Sequence, residues 1–364
     1  MLHEDSSEEQ PDGYLFDRDL LYQQPVDTER WKALVDRTID EISGAVTLKD
    51  IARAINIEVE KLSLWLTSMA SFLTFGRRVG EKSVSEKIAD GLEKYFLDLD
   101  SSSPNTAMRC KTRVKTSVIM AMIEGIETAR SMCEFVEICA APGLGKTESI
   151  QEYIASTRKV EGFNCPVWLV ELDETCISPK TILQLIAREI VPEGHYEPKS
   201  EFSMMQAICA AAEGLGGVVL IDEGQHLADV QKIMGIPTVN LLRRFVDRRL
   251  FGIAYFGNGE IYRRLTSGTG KNKDAYTQLL SRMQDFRVEI LSFGKSDGTL
   301  PALTREDVLT VAAAWGVTGV EERAYCLKAA AQPGALRNLS NIFRLSLERY
   351  GHIDISAMNK IRRF

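Results

Sequence analysis

The stretch Ala140-Ala141-Pro142-Gly143-Leu144-Gly145-Lys146-Thr147 decides how this chain folds. An apolar run, Phe135-Val136-Glu137-Ile138-Cys139, precedes it, and a helix-like stretch, Glu148 to Ser156, follows. A strand, a glycine-rich turn and a helix start, in that order, make a phosphate cradle, because the unpaired N–H groups of the first helical turn point at an anion. In this cradle Pro142, Gly143, Leu144 and Gly145 supply the backbone, and Glu148 follows in the first helical turn. Lys146 reaches the β- and γ-phosphates of a bound nucleotide, and the Thr147 hydroxyl ligates Mg²⁺. Ala140 departs from the G-x-x-x-x-G-K-[ST] pattern, and alanine serves there as long as its φ stays negative. A chance glycine-rich turn is the competing reading; the strand before, the helix after and the Lys-Thr pair argue against it.

A nucleotide site needs a second half. Gly217-Val218-Val219-Leu220-Ile221-Asp222-Glu223 is a short β-branched run ending in two acids. It reads as a buried parallel strand whose carboxyl end lies at the ligand-binding edge of an α/β sheet. Asp222 there holds Mg²⁺, directly or through water, and Glu223 activates the water that attacks the γ-phosphate. The expectation is a chain that binds ATP with Mg²⁺ and hydrolyses it.

Three weaker signals follow in order. Asn258 stands at the tip of the apolar run Phe251–Phe256, where an amide can bond the attacking water; a plain turn asparagine is the alternative. Arg282 suits a finger reaching a neighbouring subunit's γ-phosphate, or else a solvated arginine or an intrachain ion pair. Arg337, in Pro333-Gly334-Ala335-Leu336-Arg337 at the start of a C-terminal helix, suits a contact to the phosphates from the same chain.

The chain has 364 residues, 45% of them hydrophobic and 26% charged, enough for two or three domains including a large α/β core. No apolar run approaches the roughly 18 residues of a membrane span, and the acidic N-terminus does not read as a secretory signal. Seven scattered cysteines show no metal-ligand spacing and read as reduced, mainly buried thiols. The expected location is the cytoplasm, with no membrane partner. Residues 1–30 hold nine acids against Arg18 and Arg30, which equals the net charge of −7 for the whole chain. The remainder is therefore neutral, and net charge does not exclude DNA.

The expected organisation is an acidic flexible tail over 1–30 and a helical, helix-turn-helix-like domain over 31–100. A nucleotide-binding α/β domain over 106–295 and a C-terminal helical lid over 300–364 follow. Thr47 to Ile55 reads as a capped amphipathic helix, Asn56-Ile57 as a turn and Glu58 to Met69 as a second helix. A small helical interaction domain without DNA contact is the alternative. Ser101-Ser102-Ser103-Pro104-Asn105 reads as a linker and 106–133 as a helix. Strand candidates at 167–170, 218–221 and 251–256, with helical stretches between them, make a mainly parallel sheet covered on both faces. Arg243, Arg244, Arg248 and Arg249 read as a cluster on one helix, suited to DNA or a subunit interface unless acidic neighbours absorb it.

Taken together, the cradle, Ile221-Asp222-Glu223-Gly224-Gln225-His226-Leu227, Phe256-Gly257-Asn258, Ser281-Arg282 and Gln332-Pro333-Gly334-Ala335-Leu336-Arg337 resemble the AAA+ ATPases. More narrowly the chain is similar to the phage Mu B transposition protein family, over about residues 33–350. The resemblance implies an AAA+ P-loop parallel sheet with a C-terminal helical lid, preceded by a small all-α domain. It implies an ATP-dependent, weakly sequence-specific protein that forms a homo-oligomer, ring or filament, on double-stranded DNA and delivers target DNA to a transposase. By position it also implies DNA-facing loops near Cys176–Thr181 and Ala228–Thr238, with Lys180 and Lys232 as cations and Arg263, Arg264, Lys271 and Lys273 farther on. A helicase loader built on a similar core, and a non-hydrolysing ATP switch with a helical adaptor, are the competing readings.

Overall fold

The computed structural model describes residues 26–42, 46–68, 82–102, 114–173, 178–191, 200–228, 235–267, 286–292 and 300–361. They divide into two compact units, residues 1–104 with 155–164, and residues 105–154 with 165–364.

Among its described residues the first unit carries four helices, α1 (Thr28–Ile42), α2 (Leu48–Ala54), α3 (Val59–Ser68) and α4 (Val84–Ser102). Thr47 caps α2: its hydroxyl accepts from the Asp50 N–H, and the Asp50 carboxylate accepts from the Thr47 N–H, a reciprocal box that satisfies two orphan donors. Asn56 turns the chain with φ +56°, and Ile57 N–H bonds Ala52 O at 2.9 Å, so α3 leaves α2 sharply. Trp65 is the fully buried centre of this unit, packed among Ile39, Ile51, Leu62 and Ile88. Its indole N–H donates to Ser85 Oγ at 2.6 Å, which lets so large an amphipathic ring be buried without an orphaned donor. The exposed positions of α3 include Glu60 and Lys61, and Lys61 is paired with Glu58 at 3.0 Å. Ser101 and Ser102, expected as linker, still belong to α4.

The described residues of the second unit form five strands: β1 (Phe135–Ala140), β2 (Val167–Glu171), β3 (Gly217–Asp222), β4 (Phe251–Gly257) and β5 (Val288–Ile290). They run parallel throughout in the order β2-β3-β4-β1-β5. Period-two alternation sends the apolar side chains to two cores. Val136, Ile138, Val218, Leu220, Ala254 and Phe256 join one; Phe135, Val219, Ile221, Ile253 and Tyr255 join the other. Around the sheet lie α5 (Ser117–Met132), α6 (Lys146–Glu161), α7 (Pro179–Ile190), α8 (Glu201–Ala212), α9 (Gly235–Asp247) and α10 (Glu260–Ser267). Four C-terminal helices follow: α11 (Arg305–Ala314), α12 (Val320–Ala330), α13 (Ala335–Tyr350) and α14 (Ile355–Ile361).

Three local expectations are corrected. Of the helix expected over 106–133, residues 106–113 lie outside the described residues, and the described part begins at Ser117, where Thr116 caps it by accepting from Ile119 N–H. The arginine cluster is not on one helix, because α9 stops at Asp247; Arg248 and Arg249 lie in the following turn, Arg249 at φ +54°. Arg243 is engaged by Asp247 at 3.1 Å, the acidic neighbour of the alternative reading. Of the cysteines, Cys165 and Cys326 are buried, whereas Cys133, Cys139 and Cys209 are half-buried; Cys110 and Cys176 lie outside the described residues.

Candidate nucleotide site

The parallel order brings the carboxyl ends of β1, β3 and β4 side by side, and the motif residues sit there. β1 ends at Ala140, 1% exposed and within the strand, so its backbone needs no glycine and the departure from the pattern is absorbed. Leu144 is fully buried and anchors the turn in the core, while Pro142, Thr147 and Glu148 are exposed at the edge. Gly143 and Gly145 take φ of +85° and +95°, a left-handed region that excludes most side chains.

Lys146, half-buried at the start of α6, donates from Nζ to Ala140 O at 2.8 Å. Burial lowers its pKa below the usual lysine value, and the charges of Glu223 and Asp222 oppose that shift. The two halves of the site touch: Thr147 Oγ1 donates to Asp222 Oδ2 at 3.1 Å. Asp222 is 5% exposed, and its other oxygen accepts from Glu223 N–H at 2.8 Å. Glu223 stands at φ +52°, exposed, with Gln225 Nε2 donating to its Oε2. Just beyond, Gly224 O accepts from the buried Tyr255 hydroxyl at 2.6 Å.

Asn258, exposed after β4, uses Oδ1 to accept from Glu260 N–H at 3.0 Å and so caps α10. Its amide NH₂ is the group that could donate to a water.

The lid reaches the cradle through main chain. Leu336 N–H donates to Gly143 O at 3.1 Å, and a Cβ on Gly143 would stand 2.0 Å from Gly334 O. Arg337, exposed in the first turn of α13, adds its charge to those felt by Lys146. Sequence reasoning about Arg337 missed this docking, and the glycine pair Gly143 and Gly334 was its only trace. It also missed Arg287, whose Nε donates to the fully buried Glu137 of β1 at 3.0 Å and whose guanidinium lies 4.3 Å from the Tyr262 ring of α10. Burial pushes the Glu137 carboxyl above the ordinary glutamate range, against the pull of Arg287.

The expected DNA cations are dispersed. Lys180 is exposed at the start of α7, and Arg263 is exposed on α10, paired with Glu260 at 2.9 Å. Arg264 is in α10, its side chain outside the described residues, as are Lys232, Lys271, Lys273 and the expected finger Arg282.

A family model described as an AAA domain matches residues 129–265, which span the cradle, the acidic strand and Asn258. With the parallel sheet and the helical C-terminus, this defines a P-loop protein of the AAA+ class. A second model, Mu B transposition protein, C terminal, matches residues 300–347. Within that class the chain is similar, over this C-terminal stretch, to the Mu B transposition protein family. ATP-dependent target DNA activator B of Escherichia phage Mu is 25% identical over 279 residues, 77% of this chain and 78% of that protein. Its namesake in Escherichia phage D108 gives the same identity and coverage. Among solved structures, "Structure of Drosophila ORC bound to DNA" is similar at a TM-score of 0.44 and 12% identity, over 70% of this chain and 63% of that chain. No described helix is long and apolar enough to cross a membrane.

Proposed function

We propose that this chain is an ATP-dependent, DNA-binding AAA+ ATPase that oligomerises on double-stranded DNA and delivers target DNA to a transposase. The observation that carries the reading is the Thr147–Asp222 hydrogen bond of 3.1 Å, because it makes one site of two motifs separated in the chain. A hydroxyl and a carboxylate oxygen together suit a hard divalent cation. Bound Mg²⁺ would be held by Thr147 and Asp222 and would neutralise charge on the β- and γ-phosphates.

The residues of the chain do the rest. The N–H groups from Gly143 to Glu148 cradle the phosphates, and Lys146 leaves the Ala140 carbonyl for the β- and γ-oxygens. Glu223 accepts the proton of the attacking water, and the Asn258 amide orients that water. Arg337 contacts the phosphates from the same chain, and Arg282 reaches the nucleotide of a neighbouring subunit. Lys180, Lys232, Arg263, Arg264, Lys271 and Lys273 contact DNA phosphates, giving binding that tolerates sequence and weakens with salt. The family match across the lid, and the names of both phage relatives, favour a transposition role over a helicase loader.

The test pairs two variants in ATPase and DNA co-sedimentation assays. Lys146→Ala is expected to lose ATP binding and ATP-dependent assembly on duplex DNA. Glu223→Gln should bind ATP and DNA but lose turnover by about 10²–10⁴-fold, the usual worth of a general base. Assembly of Lys146→Ala at the parental level, or turnover of Glu223→Gln within twofold of the parent, sinks the proposal.

A further inference from the structure

We infer that Gln225 is a positioning residue for ATP hydrolysis, holding the Glu223 carboxylate in the orientation from which it activates water. The inference rests on the proposed role of Glu223 and extends it to a residue with no phosphate or metal chemistry of its own.

Four features of the β3 end point there. Glu223 is at φ +52°, so the backbone reverses immediately after Asp222. Gly224, next along, is pinned from both sides. Its carbonyl accepts from the buried Tyr255 hydroxyl at 2.6 Å, and a Cβ on it would stand 2.1 Å from Tyr255 Cε2. The reversal about this fixed glycine brings side chains 223 and 225 together, and Gln225 Nε2 donates to Glu223 Oε2. The other end of the reversal is fixed too, since Glu223 N–H donates to Asp222 Oδ1 at 2.8 Å and Glu223 O accepts from His226 N–H at 3.1 Å.

The chemistry follows from one donor and two acceptors. A glutamate on an exposed strand end has three rotatable bonds, and an unrestrained carboxylate would spend much of its time away from the reacting water. Donation to Oε2 fixes the plane of the carboxylate and leaves Oε1 as the acceptor for the proton of the water. The charge of Glu223 also acts on Lys146 of the cradle, against the shift that burial imposes. Asparagine at 225 is one methylene short, glutamate cannot donate and sets like charge beside like, and methionine keeps the length without the donor.

The experiment measures steady-state ATPase kinetics of the full chain with Gln225→Met, Gln225→Glu and Glu223→Gln, singly and with Gln225→Met and Glu223→Gln combined. Gln225→Met and Gln225→Glu should lower kcat by about 10- to 100-fold, a part of what the base itself contributes. KM and the Kd for a fluorescent ATP analogue should stay within about twofold, because the cradle is untouched. The combined variant should be no slower than Glu223→Gln alone, since a residue acting through Glu223 has nothing left to position. Parental kcat in Gln225→Met and Gln225→Glu overturns the inference while leaving the role of Glu223 standing. So does a loss of ATP affinity that matches the loss of rate, or a further tenfold loss in the combined variant. Should Glu223→Gln itself turn over like the parent, the proposed role of Glu223 fails and this inference with it.

Discussion

Gly143 shows how much a missing side chain can matter. Its φ of +85° would strain any L-residue, and its Cα faces the carbonyl of Gly334 so closely that a methyl group would meet it at 2.0 Å. Gly162 offers the comparison: φ is +97°, but nothing lies within 4 Å of its notional Cβ. Gly162→Ala should therefore cost only the backbone strain, about 1–2 kcal/mol. Gly143→Ala should cost that strain and also push the lid off the cradle, lowering ATP affinity at least tenfold in a fluorescent-nucleotide titration. Equal affinities for the two variants would count against the lid contact. At this scale the sequence was readable wherever chemistry and position coincide, as at Lys146, Thr147 and Asp222. It was silent where a contact depends on how the backbone turns or folds back, as between Gln225 and Glu223 or between Arg287 and Glu137.

Between elements, Asp307 is the most instructive joint. It closes the capping box of α11, whose cap is Thr304, accepting from Thr304 N–H at 2.9 Å and Thr304 Oγ1 at 2.8 Å. It also accepts from Ser117 N–H and Ser117 Oγ, both at 2.6 Å, and so fastens the start of the lid to the start of α5. Burial raises the Asp307 pKa, but these bonds outweigh it and hold the carboxyl below its ordinary 3.8. A carboxylate with a depressed folded-state pKa contributes stability that is present above the unfolded value and lost as pH falls through the folded one. Asp307→Asn should therefore unfold about 1–3 kcal/mol more easily at pH 7 in urea, and the gap should close as the pH falls through the folded-state pKa. A gap that persists unchanged in acid would exclude the charge as its source. The long elements were legible from apolar periodicity: β3 and β4 are buried along their whole length, and their runs of Val, Ile, Leu and Phe announce it. β5 was not. It has three residues with Glu289 in the middle, and its strand character comes from the register with Ile138, Cys139 and Ala140. The arginines at 248 and 249 were placed on a helix because periodicity alone does not reveal that Arg249 turns the chain at φ +54°.

For the whole molecule, the expectations concern assembly. If Arg282 acts on a neighbour's nucleotide, Arg282→Ala and Lys146→Ala should each be inactive alone yet recover turnover when mixed, since each supplies what the other lacks. Absence of recovery at every mixing ratio would assign Arg282 to its own chain. If DNA is held through phosphates, log Kd should rise linearly with log salt. Neutralising Lys180 should lower that slope by about one without changing sequence preference. A slope that stays the same would remove Lys180 from the interface. Charge composition gave little warning of either outcome, because the net charge of −7 is carried by residues 1–30 and the remaining residues sum to zero.

The bond from Leu336 N–H to Gly143 O has one more consequence. Both partners are main-chain atoms, so ordinary substitution at 336 leaves donor and acceptor in place, and only proline there would delete the donor. A link of this kind can survive sequence drift that replaces most of the residues around it. What the link asks of this sequence is small: glycine at 143 and 334, and any residue but proline at 336.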